Sequence, residues 1–100
     1  MLNMKLVNRG TEGELQLIGR LDANSAADAE KIFTDVIGRF DSVVLNMAQL
    51  DYISSMGLRA IKRAHVAMRR KDGTLALKNV KKAVMEVFEV TGFAGMLNFI

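Results

Sequence analysis

Two hydroxyl groups stand side by side at Ser54 and Ser55, just after the apolar Tyr52-Ile53 pair and just before Met56-Gly57-Leu58. Serine at the start of a helix has two chemical uses. Its oxygen can accept from backbone N–H groups that the first turn leaves unpaired, which is helix capping. It can also receive a phosphoryl group, whose negative charge the helix N-terminus favours. The spacing predicts such a helix from Ser55 to Lys71, because Leu58, Ile61, Ala64 and Met68 recur at intervals of three and four. Ser54 and Ser55 both suit the cap position, and both are candidate phosphoacceptors. Met56 falls on the expected exposed side, where a methionine adapts to varied partner surfaces.

Around the same helix wheel, Arg59, Lys62, Arg63, Arg69 and Arg70 gather on a second side, and Ser55 projects from its top. With Lys71 the stretch has six positive charges and no acid, whereas the remaining residues hold eight basic groups against eleven acids. The net charge of +3 is therefore concentrated on one helix. Such a face can be plain solvated surface, a nucleic-acid contact, the binding side for an acidic protein, or a setting for a phosphate on Ser55 with Arg59 one turn away. It lacks the aromatic residues on which bases stack, so a protein partner ranks above nucleic acid.

Catalysis finds little support. His65 is the only histidine and lies ten residues beyond Ser55 on the same predicted helix. That is about 15 Å, far outside the roughly 3 Å of a hydrogen bond in a Ser-His-acid arrangement. His65 reads instead as a border residue of the apolar face. The acids are dispersed, cysteine is absent, and no glycine-rich phosphate loop occurs, so neither a metal nor a nucleotide cofactor is expected.

The elements that must position the serines follow from hydropathy patterning. Lys5–Arg9 and Glu14–Leu21 alternate in part, with Gly10-Thr11-Glu12-Gly13 between them, as a β-hairpin at a sheet edge. Asp22, Asn24 and Ser25 offer caps to a helix whose apolar positions are Ala29, Ile32, Phe33, Val36 and Ile37, with Gly38 near its end. Ser42–Met47 reads as a buried strand, followed by Ala48-Gln49-Leu50-Asp51 as a short connection to the serines. Lys71-Asp72-Gly73 closes the basic helix, Thr74–Lys78 is a further strand, and Asn79 is expected to cap a helix carrying Val80, Val84, Val87 and Phe88 that stops at Gly92. Met96–Ile100 adds a last strand or packs on the sheet.

The implied architecture is one α/β (α+β) domain over residues 1–100, a mixed sheet with an N-terminal hairpin and about three helices. Half of the 100 residues are hydrophobic, enough for one core. The absence of cysteine gives no sign of an oxidising compartment, and no stretch approaches a secretory signal or the ~18 apolar residues of a membrane span. A cytoplasmic location is expected.

The run Tyr52-Ile53-Ser54-Ser55-Met56-Gly57-Leu58 resembles the phosphoacceptor turn of the STAS domain, the module of bacterial anti-sigma-factor antagonists. In that family the turn commonly reads as an apolar residue, Asp, Ser, Ser or Thr, Gly, Leu. Gly57 and Leu58 match, Ser55 falls on the phosphoacceptor, and Ser54 replaces the Asp. Gly19-Arg20-Leu21-Asp22 resembles the family's Gly-x-Leu/Ile-Asp segment, which implies that Asp22 lies near the turn, and Val87–Phe93 resembles its closing helix. The resemblance implies that Ser55, with Ser54 as competitor, is phosphorylated by an anti-sigma factor having serine kinase activity. It implies a surface of Asp22, Ser54, Ser55, Met56, Gly57, Arg59, Lys62 and Arg63 that binds this partner, a serine phosphatase that resets it, and a free protein that is monomeric. The other reading is a STAS subunit of a transporter or larger complex in which Ser55 only caps a helix.

Overall fold

The computed structural model describes residues 1–100. Strand β1 (Leu2–Arg9) turns through Gly10 and Thr11 into β2 (Glu12–Leu21), and the two pair antiparallel with Leu6 opposite Leu15. Gly10 takes φ +84°, a left-handed conformation that glycine adopts without a Cβ penalty, and its N–H donates to Asn8 Oδ1 at 2.9 Å. Helix α1 (Ala26–Arg39) then carries the chain over to β3 (Ser42–Ile53), which lies parallel to β2. A second crossover, α2 (Ser55–Arg70), leads to β4 (Thr74–Lys78), parallel to β3, so the sheet order is β1-β2-β3-β4. Helix α3 (Lys82–Val90) follows, then a single 3-10 turn at Phe93–Gly95.

Alternation along each strand divides the sheet into two unlike faces. On one, Leu15, Leu17, Val43, Leu45, Leu75 and Leu77 join Phe33 and Val36 of α1, Ile61 and Met68 of α2, and Val84 and Phe88 of α3 in one core of 23 buried residues. The opposite face carries no helix. At its centre Glu14 is 3% exposed and binds Lys78 Nζ at 2.8 Å, Arg9 Nε at 3.2 Å and Asn46 Nδ2 at 3.2 Å. Hydrogen bonding to Lys78, then to Asn46, outweighs the burial that would keep this acid neutral, and its pKa falls to about 2.

The expected hairpin, the Thr74–Lys78 strand and the apolar faces of the helices are where the patterning puts them. Three details differ. Ala48–Asp51 is not a connection but the second half of β3, which runs to Ile53. Against β2 it takes one extra residue between Asn46 and Gln49 and another between Leu50 and Tyr52. These two bulges let Met47, Leu50 and Ile53, spaced by three, all reach the core, and that spacing disguises a strand. Ile32 is 37% exposed rather than buried, because the inward stripe of α1 is already filled by Ala29, Phe33, Val36 and Ile37. Asn79 does not cap α3; it turns the chain with φ +58°, and the helix starts three residues later behind Lys81. The C-terminal residues form one bridge beside β4, where Leu77 N–H donates to Asn98 O at 2.8 Å and Ile100 N–H to Leu77 O at 2.9 Å. Phe99 thereby meets Phe88 edge to face at 5.5 Å.

Candidate functional site

The ends of β2 and β3 meet at the start of α2. Leu21 is the register partner of Ile53, and the next residue, Ser54, donates its N–H to Leu21 O at 2.9 Å. Ser54 has extended backbone angles, its Oγ accepts the Gly57 N–H at 3.3 Å, and its carbonyl accepts the Leu58 N–H at 2.9 Å. It is therefore the cap of α2, with each of its polar groups engaged. Ser55 is the first residue of the helix proper; it is exposed and its hydroxyl has no partner. The two serines that look alike in the sequence thus divide the work, and Ser55 is not the cap. Ser54→Ala should cost about 1 kcal/mol, roughly 4–8 °C in Tm for a domain of this size, in a thermal melt, while Ser55→Ala should leave Tm unchanged.

Gly57 explains how the helix comes so close. A Cβ there would lie 2.7 Å from Leu21 O, 2.8 Å from Leu21 Cγ and 2.9 Å from Ile53 Cγ1. The first turn of α2 therefore sits directly on Leu21, and the residues either side of Leu21 flank the turn. One is Asp22, whose Oδ1 accepts the Asn24 N–H at 3.0 Å and the Ser25 hydroxyl at 3.2 Å. Burial opposes its charge, but these hydrogen bonds prevail and hold its pKa below the ordinary aspartate value, so Asp22 is ionised at neutral pH. The Ser25 oxygen also accepts the Asp22 N–H at 3.0 Å, and its single proton is shared between Asp22 Oδ1 and Arg20 O, the latter at 3.0 Å, which fixes the bend from β2 into α1.

The other flanking residue, Arg20, has its guanidinium 4.2 Å from the centre of the Tyr52 ring and its Nε 3.7 Å from Asp22 Oδ2. Neither Arg20 nor Tyr52 stands out as a functional residue in the sequence. Their pairing depends on the second β3 bulge, which sets Tyr52 rather than Asp51 opposite Arg20. Both contacts are weak, the cation–π stack being worth on the order of 0.5–1 kcal/mol and the ion pair being loose and screened by solvent.

Along α2, Arg59, Lys62, Arg69 and Arg70 are exposed and face no acid within ion-pair distance. Arg63 is exposed too but binds Glu30 of α1 at 2.8 Å. Arg59, Lys62, Arg63 and Arg70 rim a shallow groove of about 430 Å³ floored by Val66 and Ala67. Lys71 does not belong to this face. Its Nζ turns inward to Ile37 O at 2.6 Å and Phe40 O at 3.1 Å, satisfying the last carbonyls of α1. Near the turn, Met56 and Tyr52 are 47% and 41% exposed. His65 lies half-buried at the edge of the apolar face, and burial and then Arg69 lower its pKa, so it is neutral. The site therefore combines a free hydroxyl at a helix N-terminus, an ionised aspartate, two exposed large apolar side chains and a basic helix face.

Comparison with known proteins bears on this arrangement. The chain is 38% identical over 73 residues to a Bordetella bronchiseptica protein named as the anti-sigma factor antagonist BtrV, a match covering 69% of this chain and 63% of that protein. An anti-sigma factor antagonist from Mycobacterium paratuberculosis superposes with a TM-score of 0.89 at 13% identity, over 99% of this chain and 85% of its own. The Bacillus cell fate determinant SpoIIAA in its phosphorylated form superposes with a TM-score of 0.74 at 18% identity, over 100% and 91% of the two chains. At these identities the solved structures establish a common fold. The family model for the STAS domain matches residues 4–100, and with the sheet order, the helix crossovers and the serine turn in place, the chain belongs to the STAS domain family.

Proposed function

We propose that this chain is an anti-sigma factor antagonist controlled by phosphorylation at Ser55. The observation that carries the reading is the division between the two serines: Ser54 caps α2 and Ser55 presents an unengaged hydroxyl at the first helical position. A relative is named as an anti-sigma factor antagonist, and a Bacillus protein of the same fold is known in a phosphorylated form, which supports the assignment.

In the unmodified state, Asp22, the turn Ser54-Ser55-Met56-Gly57 and the cations Arg59, Lys62 and Arg63 dock on an anti-sigma factor with serine kinase activity, and its sequestration frees a sigma factor. The domain is a binding module without catalysis of its own, monomeric when free and resident in the cytoplasm. Its kinase partner transfers the γ-phosphoryl group of a nucleoside triphosphate to Ser55 Oγ, breaking the bond from the γ-phosphorus to the bridging oxygen and releasing the nucleoside diphosphate, while the hydroxyl proton passes to a base of the kinase or to water. The product carries about −1.5 to −2 charge and three strong acceptors, which the N-terminus of α2 and Arg59 hold locally. The fold persists, but the charge must now be desolvated against the partner, and affinity falls. A serine phosphatase reverses the change.

The test is fragmentation mass spectrometry of the protein from its own cells, beside partner binding by Ser55→Ala and Ser55→Asp forms. Phosphate on Ser55, with a kinase-like partner kept by the Ala form and weakened at least tenfold in the Asp form, is expected. Serines that are never modified, with both variants keeping the same partners, would leave a constitutive binding module such as a subunit of a larger complex.

A further inference from the structure

We propose that Arg20 reads the phosphorylation state of Ser55, exchanging its contacts with Tyr52 and Asp22 for the phosphoryl group and so uncovering the Tyr52 ring. The inference rests on the reading of Ser55 as phosphoacceptor and adds to it a second cation and a moving aromatic surface.

Proximity comes first. The hydrogen bond from Ser54 N–H to Leu21 O joins the ends of β3 and β2 at 2.9 Å. Arg20 is one residue before its acceptor, and Ser55 is one residue after its donor. Arg20 thus belongs to the same strand junction as the serine, although 35 positions separate them in the chain.

Competition comes second. Arg20 is 54% exposed at its side chain and is held by two loose contacts, a ring at 4.2 Å and a carboxylate at 3.7 Å that is beyond hydrogen-bond length. Asp22 depends little on Arg20, because the Asn24 N–H and the Ser25 hydroxyl already engage its other oxygen. A phosphoryl group offers nearly twice the charge and three acceptors in the geometry that a guanidinium binds in bidentate fashion. An ionised Asp22 beside the turn also repels the new dianion, and a cation inserted between the two relieves this. Arg59 approaches from the helix side and Arg20 from the strand side.

Exchange has a consequence for recognition. Tyr52 is already 41% exposed, and the guanidinium covers one face of its ring. Removing it changes the apolar surface that Tyr52 presents two residues before Ser54, so phosphorylation alters the shape as well as the charge of the docking surface.

Tyr52 is the only tyrosine and the chain has no tryptophan, so its signals are unambiguous. Phosphoserine is placed at position 55 of the full chain by codon suppression, in wild type and in Arg20→Gln and Arg59→Gln backgrounds. Near-ultraviolet circular dichroism and ring-proton NMR of Tyr52 are recorded together with a phosphorus NMR titration. On phosphorylation the Tyr52 signals should move to those of unmodified Arg20→Gln. The second phosphate pKa should lie below its ordinary value of about 6 and rise by about 0.5, a threefold change in proton affinity, when Arg20 is Gln. Arg20→Lys, which keeps the charge without the planar stack, should retain much of the titration shift while lacking the Tyr52 change, and far-ultraviolet spectra verify folding of each variant. Tyr52 signals identical with and without phosphate, or a titration that responds to Arg59→Gln alone, would overturn the proposal. Because the phosphoryl group is installed deliberately, absence of phosphate on Ser55 in cells would count against the proposed function and leave this result standing.

Discussion

Glu14→Gln is expected to remove about 3 kcal/mol of stability at pH 7, with the loss disappearing in acid. The carboxylate is 3% exposed and sits among Lys78, Asn46 and Arg9, which hold its pKa at about 2 against an unfolded value of 4.5. For an acid with a depressed pKa, the stabilisation is fully present above the unfolded value. It is lost as pH falls from about 4.5 through about 2. Glutamine has nearly the shape of the protonated acid, so wild type and variant should converge in that window. Urea unfolding at a series of pH values reads the difference directly. A difference that stays constant from pH 7 to pH 2 would mean that the site contributes by packing and not by its charge.

Gly57→Val should be comparably damaging, at about 3 kcal/mol, the upper range for overpacking. Its Cβ would meet a backbone carbonyl at 2.7 Å, and Leu21 O cannot move away without losing the Ser54 N–H. A β-branched residue adds its own restriction in the first turn of a helix. Gly57→Ala should cost less, about 1–2 kcal/mol, and both should tilt α2 away from Leu21. Chemical denaturation measures the first effect, and amide exchange at Ser54 and Gly57 the second. Gly38, whose Cβ would meet nothing within 4 Å in α1, is the control: Gly38→Ala should be neutral or stabilising by up to about 1 kcal/mol.

These sites show what was legible before the fold was known. Hairpin, crossovers and helix faces depend on local periodicity, and periodicity is written in the chain. The serine turn was legible too, because a cap needs its residue type at one defined position. Pairing across the sheet was not. Glu14 looks like any strand glutamate until β4 brings Lys78 beside it, 64 residues away. Lys71 counts as one more positive charge until α1 presents its carbonyls. Arg20 and Tyr52 require the register of β2 against β3, and bulges change register without marking themselves by residue type. The roles of Ser54 and Ser55 were ambiguous for a related reason, since either fits the cap and only the Leu21 contact decides between them.

The junction that follows the two supernumerary residues of β3 also restricts how this chain can vary in length. Deleting one residue between Ile53 and Gly57 would separate the Ser54 N–H from Leu21 O or move Gly57 off its close contact, whereas loss of a bulge residue only restores one-to-one pairing with β2. Insertion between Ile53 and Gly57 would break the same contacts. By contrast, the Gly10-Thr11 turn joins two strands far from the junction and leaves room for added residues. Over generations of random insertion and deletion, this lineage can lengthen its hairpin, whereas the path from Ile53 to Gly57 must keep its residue count even where its side chains drift.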